Sequence, residues 1–126
     1  MDRRAECVSI VRRLLEPPGE SFAAEVAGVA RSGLPPEAAE QVSRFSERIA
    51  DLSPEERREL FDETFGRPAA ADDRRRLVSL LDGSAPPEAG AEVWALIDRL
   101  GTALMRDRNP YHHLIAALGV LAPRGG

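Results

Sequence analysis

Residues 36–66 read PEAAEQVSRFSERIADLSPEERRELFDETFG, and two helices and the turn between them follow from it. Ala38, Val42, Phe45, Ile49 and Leu52 recur at alternating steps of four and three, the stripe of an amphipathic helix over about 36–51 that faces a bundle. Ser53-Pro54-Glu55-Glu56 then marks a helix start in three ways. Ser53 supplies an N-cap oxygen, Pro54 takes the first helical position where its missing N–H costs nothing, and Glu56 closes a capping box. The helix it opens turns Leu60, Phe61 and Phe65 inward and ends at Gly66 and Pro68.

Outward toward the N-terminus, Phe22, Val26 and Val29 predict a short Ala-rich helix over about 21–31, closed by Gly33 as a left-handed cap. Cys7, Ile10, Val11, Leu14 and Leu15 predict another over about 2–16, stopped by Pro17-Pro18-Gly19. Toward the C-terminus, 67–73 reads as a linker, and Leu77, Val78, Leu80 and Leu81 as a short helix ended by Gly83. A second hinge follows near 83–87. Val93, Leu96, Ile97, Leu100 and Leu104 predict a long helix over about 88–106, and Asn109-Pro110 opens a last one carrying Leu114, Ile115, Leu118 and Leu121. No stretch alternates with period two. The expectation is an all-α, single-domain helical bundle of about seven helices over 1–126, with 123–126 as a frayed tail.

Composition narrows the function. A chain of 126 residues with 43% apolar content fills one modest core without metal or disulfide staples. The single cysteine, Cys7, excludes an intramolecular disulfide and points to a reducing compartment. All 17 basic residues are Arg, and against 21 acidic ones they leave a net charge of −4, a field that repels phosphate backbones, so no nucleic-acid partner is expected. Met1-Asp2-Arg3-Arg4 is followed by no signal-peptide core, because Arg12 and Arg13 interrupt the apolar pattern. The longest apolar run, nine residues over 114–122, is about half of what a membrane-spanning helix needs. These features predict a cytoplasmic protein without membrane insertion, and Arg124-Gly125-Gly126 reads as a terminus rather than a conjugation tail.

The inventory for catalysis is short. His112 and His113 are adjacent, so on a helix they point about 100° apart and do not chelate one ion as an i, i+4 pair would. Cys7 lies on an apolar stripe, the setting of a small buried hydrophobe. Glu55-Glu56 is explained by capping, Asp62-Glu63 and Asp72-Asp73 by solvated faces, and the glycines are scattered as helix stops, with no phosphate loop. The reading assigns no catalytic residue, metal ligand or cofactor. Two surface features remain. Arg74-Arg75-Arg76 is either a grip for a phosphate or acidic partner or a solvated face flanked by Asp72, Asp73 and Asp82. Trp94, beside the apolar stripe of its helix, either lines a groove that accepts a partner's helix or packs at the edge of the core.

Leu52 to Phe65, read as a whole, resembles the molybdenum-enzyme assembly chaperones of the nitrate reductase delta-subunit and redox-enzyme maturation family. In that family a Leu/Glu-rich turn of helix precedes a Tyr-x-x-Thr-Phe signature; here Phe61 stands at the tyrosine position and Thr64-Phe65 match. The Leu14-Leu15-Glu16-Pro17-Pro18 stop and Asn109-Pro110-Tyr111 followed by Leu114 are similar to further family elements, so the resemblance covers 8–66 and, more weakly, the tail. The family's His- and Gly-containing segment after the signature has no counterpart in 67–76, and its Pro-Asp-His motif is missing. The resemblance implies a non-catalytic chaperone that binds the apo form or N-terminal peptide of a molybdopterin oxidoreductase during cofactor insertion, needing no cofactor of its own. It implies that Phe61, Thr64 and Phe65 belong to the motif as candidate contact residues, with Phe61 and Phe65 expected to maintain the core rather than touch a client; Arg74, Arg75, Arg76, Trp94 and Tyr111 complete the expected contact surface. Two other classes fit the same patterning: a helical subunit embedded in a larger complex, and a small enzyme built on Cys7, His112 and His113. The patterning sets no oligomeric state.

Overall fold

The computed structural model describes residues 3–81 and 87–122. Among them are seven α-helices and no strand: α1 (Arg3–Arg12), α2 (Phe22–Ala30), α3 (Pro36–Ile49), α4 (Pro54–Phe65), α5 (Pro68–Leu80), α6 (Gly90–Arg106) and α7 (His112–Leu121). Short 3-10 turns, Arg13–Leu15 and Pro87–Ala89, extend α1 and introduce α6. The fold is the expected all-α bundle, and the capping box is formed: Ser53 Oγ accepts the Glu56 N–H at 3.1 Å while Glu56 Oε1 accepts the Ser53 N–H at 2.9 Å.

Helix α7 is the central element. Leu114, Ile115, Ala117, Leu118 and Leu121 are all buried, so nearly its whole circumference is apolar and must be covered. Helices α1, α3 and α6 cover it, with α3 making the most extensive contact, and α2 packs on the outside of α3. The stripe Ala38, Val42, Phe45 and Ile49 is the inner face of α3, and Val93, Ile97, Leu100 and Leu104 that of α6. Burial of one such Leu, Ile or Phe side chain contributes about 1.5–3 kcal/mol.

The segment 67–73, expected as a linker, is instead the first half of α5. Pro68 takes the N1 position and Ala69-Ala70-Ala71 are the strongest helix formers, so nothing between Gly66 and Leu81 breaks the helix. The charged residues that follow point outward or to neighbouring helices rather than signalling a loop. The expected hinge at 83–87 and the tail at 123–126 lie outside the described residues, except that Pro87 begins the 3-10 turn. Two chain reversals use left-handed backbone. Gly33 has φ 85° after α2, and Arg108 has φ 54° after α6. Around Arg108 the Asn109 N–H reaches the Leu104 carbonyl at 2.9 Å and the Arg108 N–H reaches Met105 at 3.1 Å, the two bonds of a Schellman motif.

Candidate functional site

The residues of the Thr-Phe signature meet inside the bundle. Phe61 and Phe65, one turn apart on α4, lie with ring centroids 5.2 Å apart, and Tyr111 from the turn before α7 sits 6.1 and 5.2 Å from them. Phe45 on α3 adds a contact to Tyr111 at 5.0 Å, and Phe22 on α2 meets Phe45 edge-on at 6.0 Å. Five aromatic rings thus form one chain through the core. Tyr111 is 1% exposed, and burial pushes its phenol well above the ordinary value, with the Arg74 charge pulling the other way. Thr64 Oγ1 donates to the Leu60 carbonyl at 2.7 Å and accepts from the Asn109 side-chain amide at 2.6 Å. Asn109 Oδ1 in turn accepts the Tyr111 N–H at 2.9 Å.

Phe61, Thr64, Phe65 and Tyr111 are therefore not part of a contact surface. They are all buried, because the apolar spacing that defined α4 turns the signature toward the chain reversal before α7.

The three arginines, adjacent in sequence, part company on α5. Arg74 turns inward, its guanidinium carbon 5.3 Å from the Phe61 centroid and 5.8 Å from that of Phe65, and donates to the Leu15 carbonyl at 3.0 Å. It ties α5 and α4 to the end of the first helical segment. Arg75 pairs with Asp72 on its own helix, and Arg76 makes a two-point pair with Glu92 on α6, its Nη2 bond measuring 2.9 Å. The Glu92 bond raises the Arg76 pKa and lowers that of Glu92. Asp73, expected on a solvated face, instead accepts two bonds from Arg99 of α6 at 2.8 and 2.7 Å, which raises the Arg99 pKa. No free basic patch is left at 74–76, because helical spacing sends one arginine inward and gives the other two carboxylate partners. Trp94 is half-buried against the core at the start of α6.

His112 and His113 do not splay apart. As the first two residues of α7 they bring their rings together, with centroids 3.9 Å apart and planes tilted by 37°. His113 is buried, with Nδ1 2.8 Å from Gln41 Oε1 on α3. Burial, then the neighbouring charges of His112, Arg48 and Arg44, hold its pKa down at about 4. Burial and Arg48 also lower His112. Cys7 is buried at 1% exposure on the inner face of α1. Among the described residues no group of three or more His, Cys, Asp or Glu is placed to hold a metal ion, and no helix is long and apolar enough to cross a membrane.

Among the grooves on the described surface, two have an apolar floor. One, about 470 Å³, runs between the end of α1 and α2 over an apolar floor of Ile10, Leu14 and Val29, with Arg13, Glu25 and Ser32 at its rim. Gly28 lies on its α2 wall, where an added Cβ meets nothing within 4 Å. The other, about 450 Å³, lies between α6 and α7 over Ile97, Gly101, Ile115 and Ala116, beside Met105. No pattern in the sequence marks either groove, since each is made by side chains from two helices that only packing brings together. Compared with known proteins, the chain matches no family model, no curated protein and no solved structure.

Proposed function

We propose that the chain is a non-catalytic cytoplasmic chaperone that binds the apo form or N-terminal peptide of a molybdopterin oxidoreductase, of the nitrate reductase type, during cofactor insertion and assembly. The observation that carries this reading is the groove between α1 and α2. It lies within residues 8–66, where the resemblance to the assembly chaperones is concentrated, and it offers an apolar floor of Ile10, Leu14 and Val29 under a rim that includes Glu25. A leader segment with apolar side chains and an arginine finds in it both a place to bury the former and a carboxylate for the latter. The net charge of −4 favours the approach of such a basic peptide. Arg74 of α5 donates to the carbonyl of Leu15, which follows the groove residue Leu14 in the 3-10 turn after α1.

The test is co-expression with an apo molybdopterin oxidoreductase catalytic subunit, followed by affinity capture. Capture of the subunit by the parent chain and its loss with Gly28→Phe, which fills the groove from a position where a Cβ has open space, is the expected result. Failure to capture the subunit, or capture unchanged by Gly28→Phe, overturns the reading.

A further inference from the structure

The outer face of α6 is self-complementary, and we infer that it pairs with the same face of a second copy of this chain. Among the described residues Met105 is the exposed large hydrophobic side chain, with 63% of its surface in solvent. It stands at the edge of the α6–α7 groove, where Gly101 presents no side chain and leaves the floor open. Two charges flank this face, Asp98 and Arg106, both exposed. Neither has an ion-pair partner among the described residues, whereas Arg99, which lies beside them on this face, and Glu92 are both taken up by α5. Asp98 and Arg106 are too far apart to meet each other. Eight residues along a helix separate them by about 12 Å, with Thr102 midway on the same row.

A twofold axis at Thr102 resolves both charges at once. Two antiparallel α6 helices related by it place Asp98 of each copy opposite Arg106 of the other, and set each Met105 against the turn from Asp98 to Thr102 of its neighbour. The interface is isologous: one patch, its own complement, with two equivalent ion pairs and two equivalent apolar insertions. A partner helix of unrelated sequence would need an acid and a base at matching separation and in reverse order; a second copy carries them by construction. One helix face is a small interface, so association is concentration-dependent and salt-sensitive.

Sedimentation velocity of the full chain over an about 100-fold concentration series tests this. The parent chain is expected to move from monomer to dimer. Asp98→Arg and Arg106→Asp, each of which sets like charges opposite each other twice, are expected to weaken self-association at least about tenfold. An equimolar mixture of the two variants restores it. The guanidinium introduced at position 98 of one chain then faces the carboxylate introduced at position 106 of the other, and the remaining pair is the native one. Both side chains are exposed, so far-UV circular dichroism stays unchanged. A parent chain that remains monomeric throughout, which leaves the face to a foreign partner, overturns the inference. So do single variants that dimerise like the parent, or a mixture no better than its components.

Discussion

The Asn109 side-chain amide donates to Thr64 Oγ1 at 2.6 Å, joining the end of α4 to the reversal before α7 across 45 residues of sequence. The same Thr64 hydroxyl donates to Leu60, and the same Asn109 carbonyl oxygen holds the Tyr111 N–H. One hydroxyl and one amide thus set the register in which Tyr111 enters the ring cluster. Thr64→Val, nearly equal in volume, leaves the Asn109 amide unpaired and is expected to cost about 1–2 kcal/mol, with Asn109→Ala costing a similar amount. The double variant is expected to lose less than the sum, by about 0.5–1 kcal/mol. Urea unfolding of the four proteins measures this; strict additivity would show the bond contributes nothing.

Arg74→Ala removes a hydrogen bond to a backbone carbonyl and the stacking over Phe61 and Phe65, an expected loss of about 1–3 kcal/mol. Arg75→Ala removes only an exposed i, i+3 pair and is expected within about 0.5 kcal/mol of the parent. Thermal melts of the two variants side by side distinguish a basic patch, in which neighbours are equivalent, from an interior brace.

His113 gives the fold an acid limb. Its folded pKa, held at about 4 mainly by burial and then by the nearby His112, Arg48 and Arg44, lies below the ordinary 6.5 that it regains on unfolding. The unfolded chain therefore binds more protons between these values. The contribution is fully present above about pH 6.5 and is lost as pH falls toward 4. His113→Gln keeps a hydrogen-bonding group near Gln41 and does not titrate; its stability is expected to fall less steeply across that window. Denaturation midpoints at stepped pH check it, and identical slopes would remove His113 from the account.

Two glycines respond in opposite senses to one methyl group. At Gly66, which ends α4, a Cβ would fall within the van der Waals shell of the Asp62 carbonyl oxygen, so Gly66→Ala must shift backbone and is expected to destabilise by about 1–3 kcal/mol. At Gly28, inside α2, nothing lies within 4 Å, and Gly28→Ala is expected to stabilise by about 0.5–1 kcal/mol through lower unfolded-state entropy. Chemical denaturation reads both, and a common sign would contradict the geometry.

Local rules written into single stretches of chain determined the helices. The spacing Ala38, Val42, Phe45, Ile49 set the inner face of α3, the Ser53 box set the first residue of α4, and the nine-residue apolar run marked the central helix. Such signals act within one or two turns, where propensity, capping and periodicity operate without reference to the rest of the chain. The same locality explains why 67–73 reads as a linker and folds as a helix. A proline after a helix end and a proline at a helix start are the same residue in a sequence, and Pro68 is both.

What only the tertiary structure decided is the partnering between helices. Adjacent arginines at 74–76 have three different fates: Arg75 pairs within its own helix, whereas Arg74 and Arg76 meet neighbours from the first segment, α4 and α6 that only the packing of helices brings beside them. Tyr111 has the composition of a contact residue and the environment of a core residue, since four other aromatic rings converge within its chain of contacts. Burial depends on the sum of all the packed surfaces around a side chain, a non-local quantity that no window of sequence contains. The two apolar grooves are likewise made by packing, since each is walled by side chains from two helices.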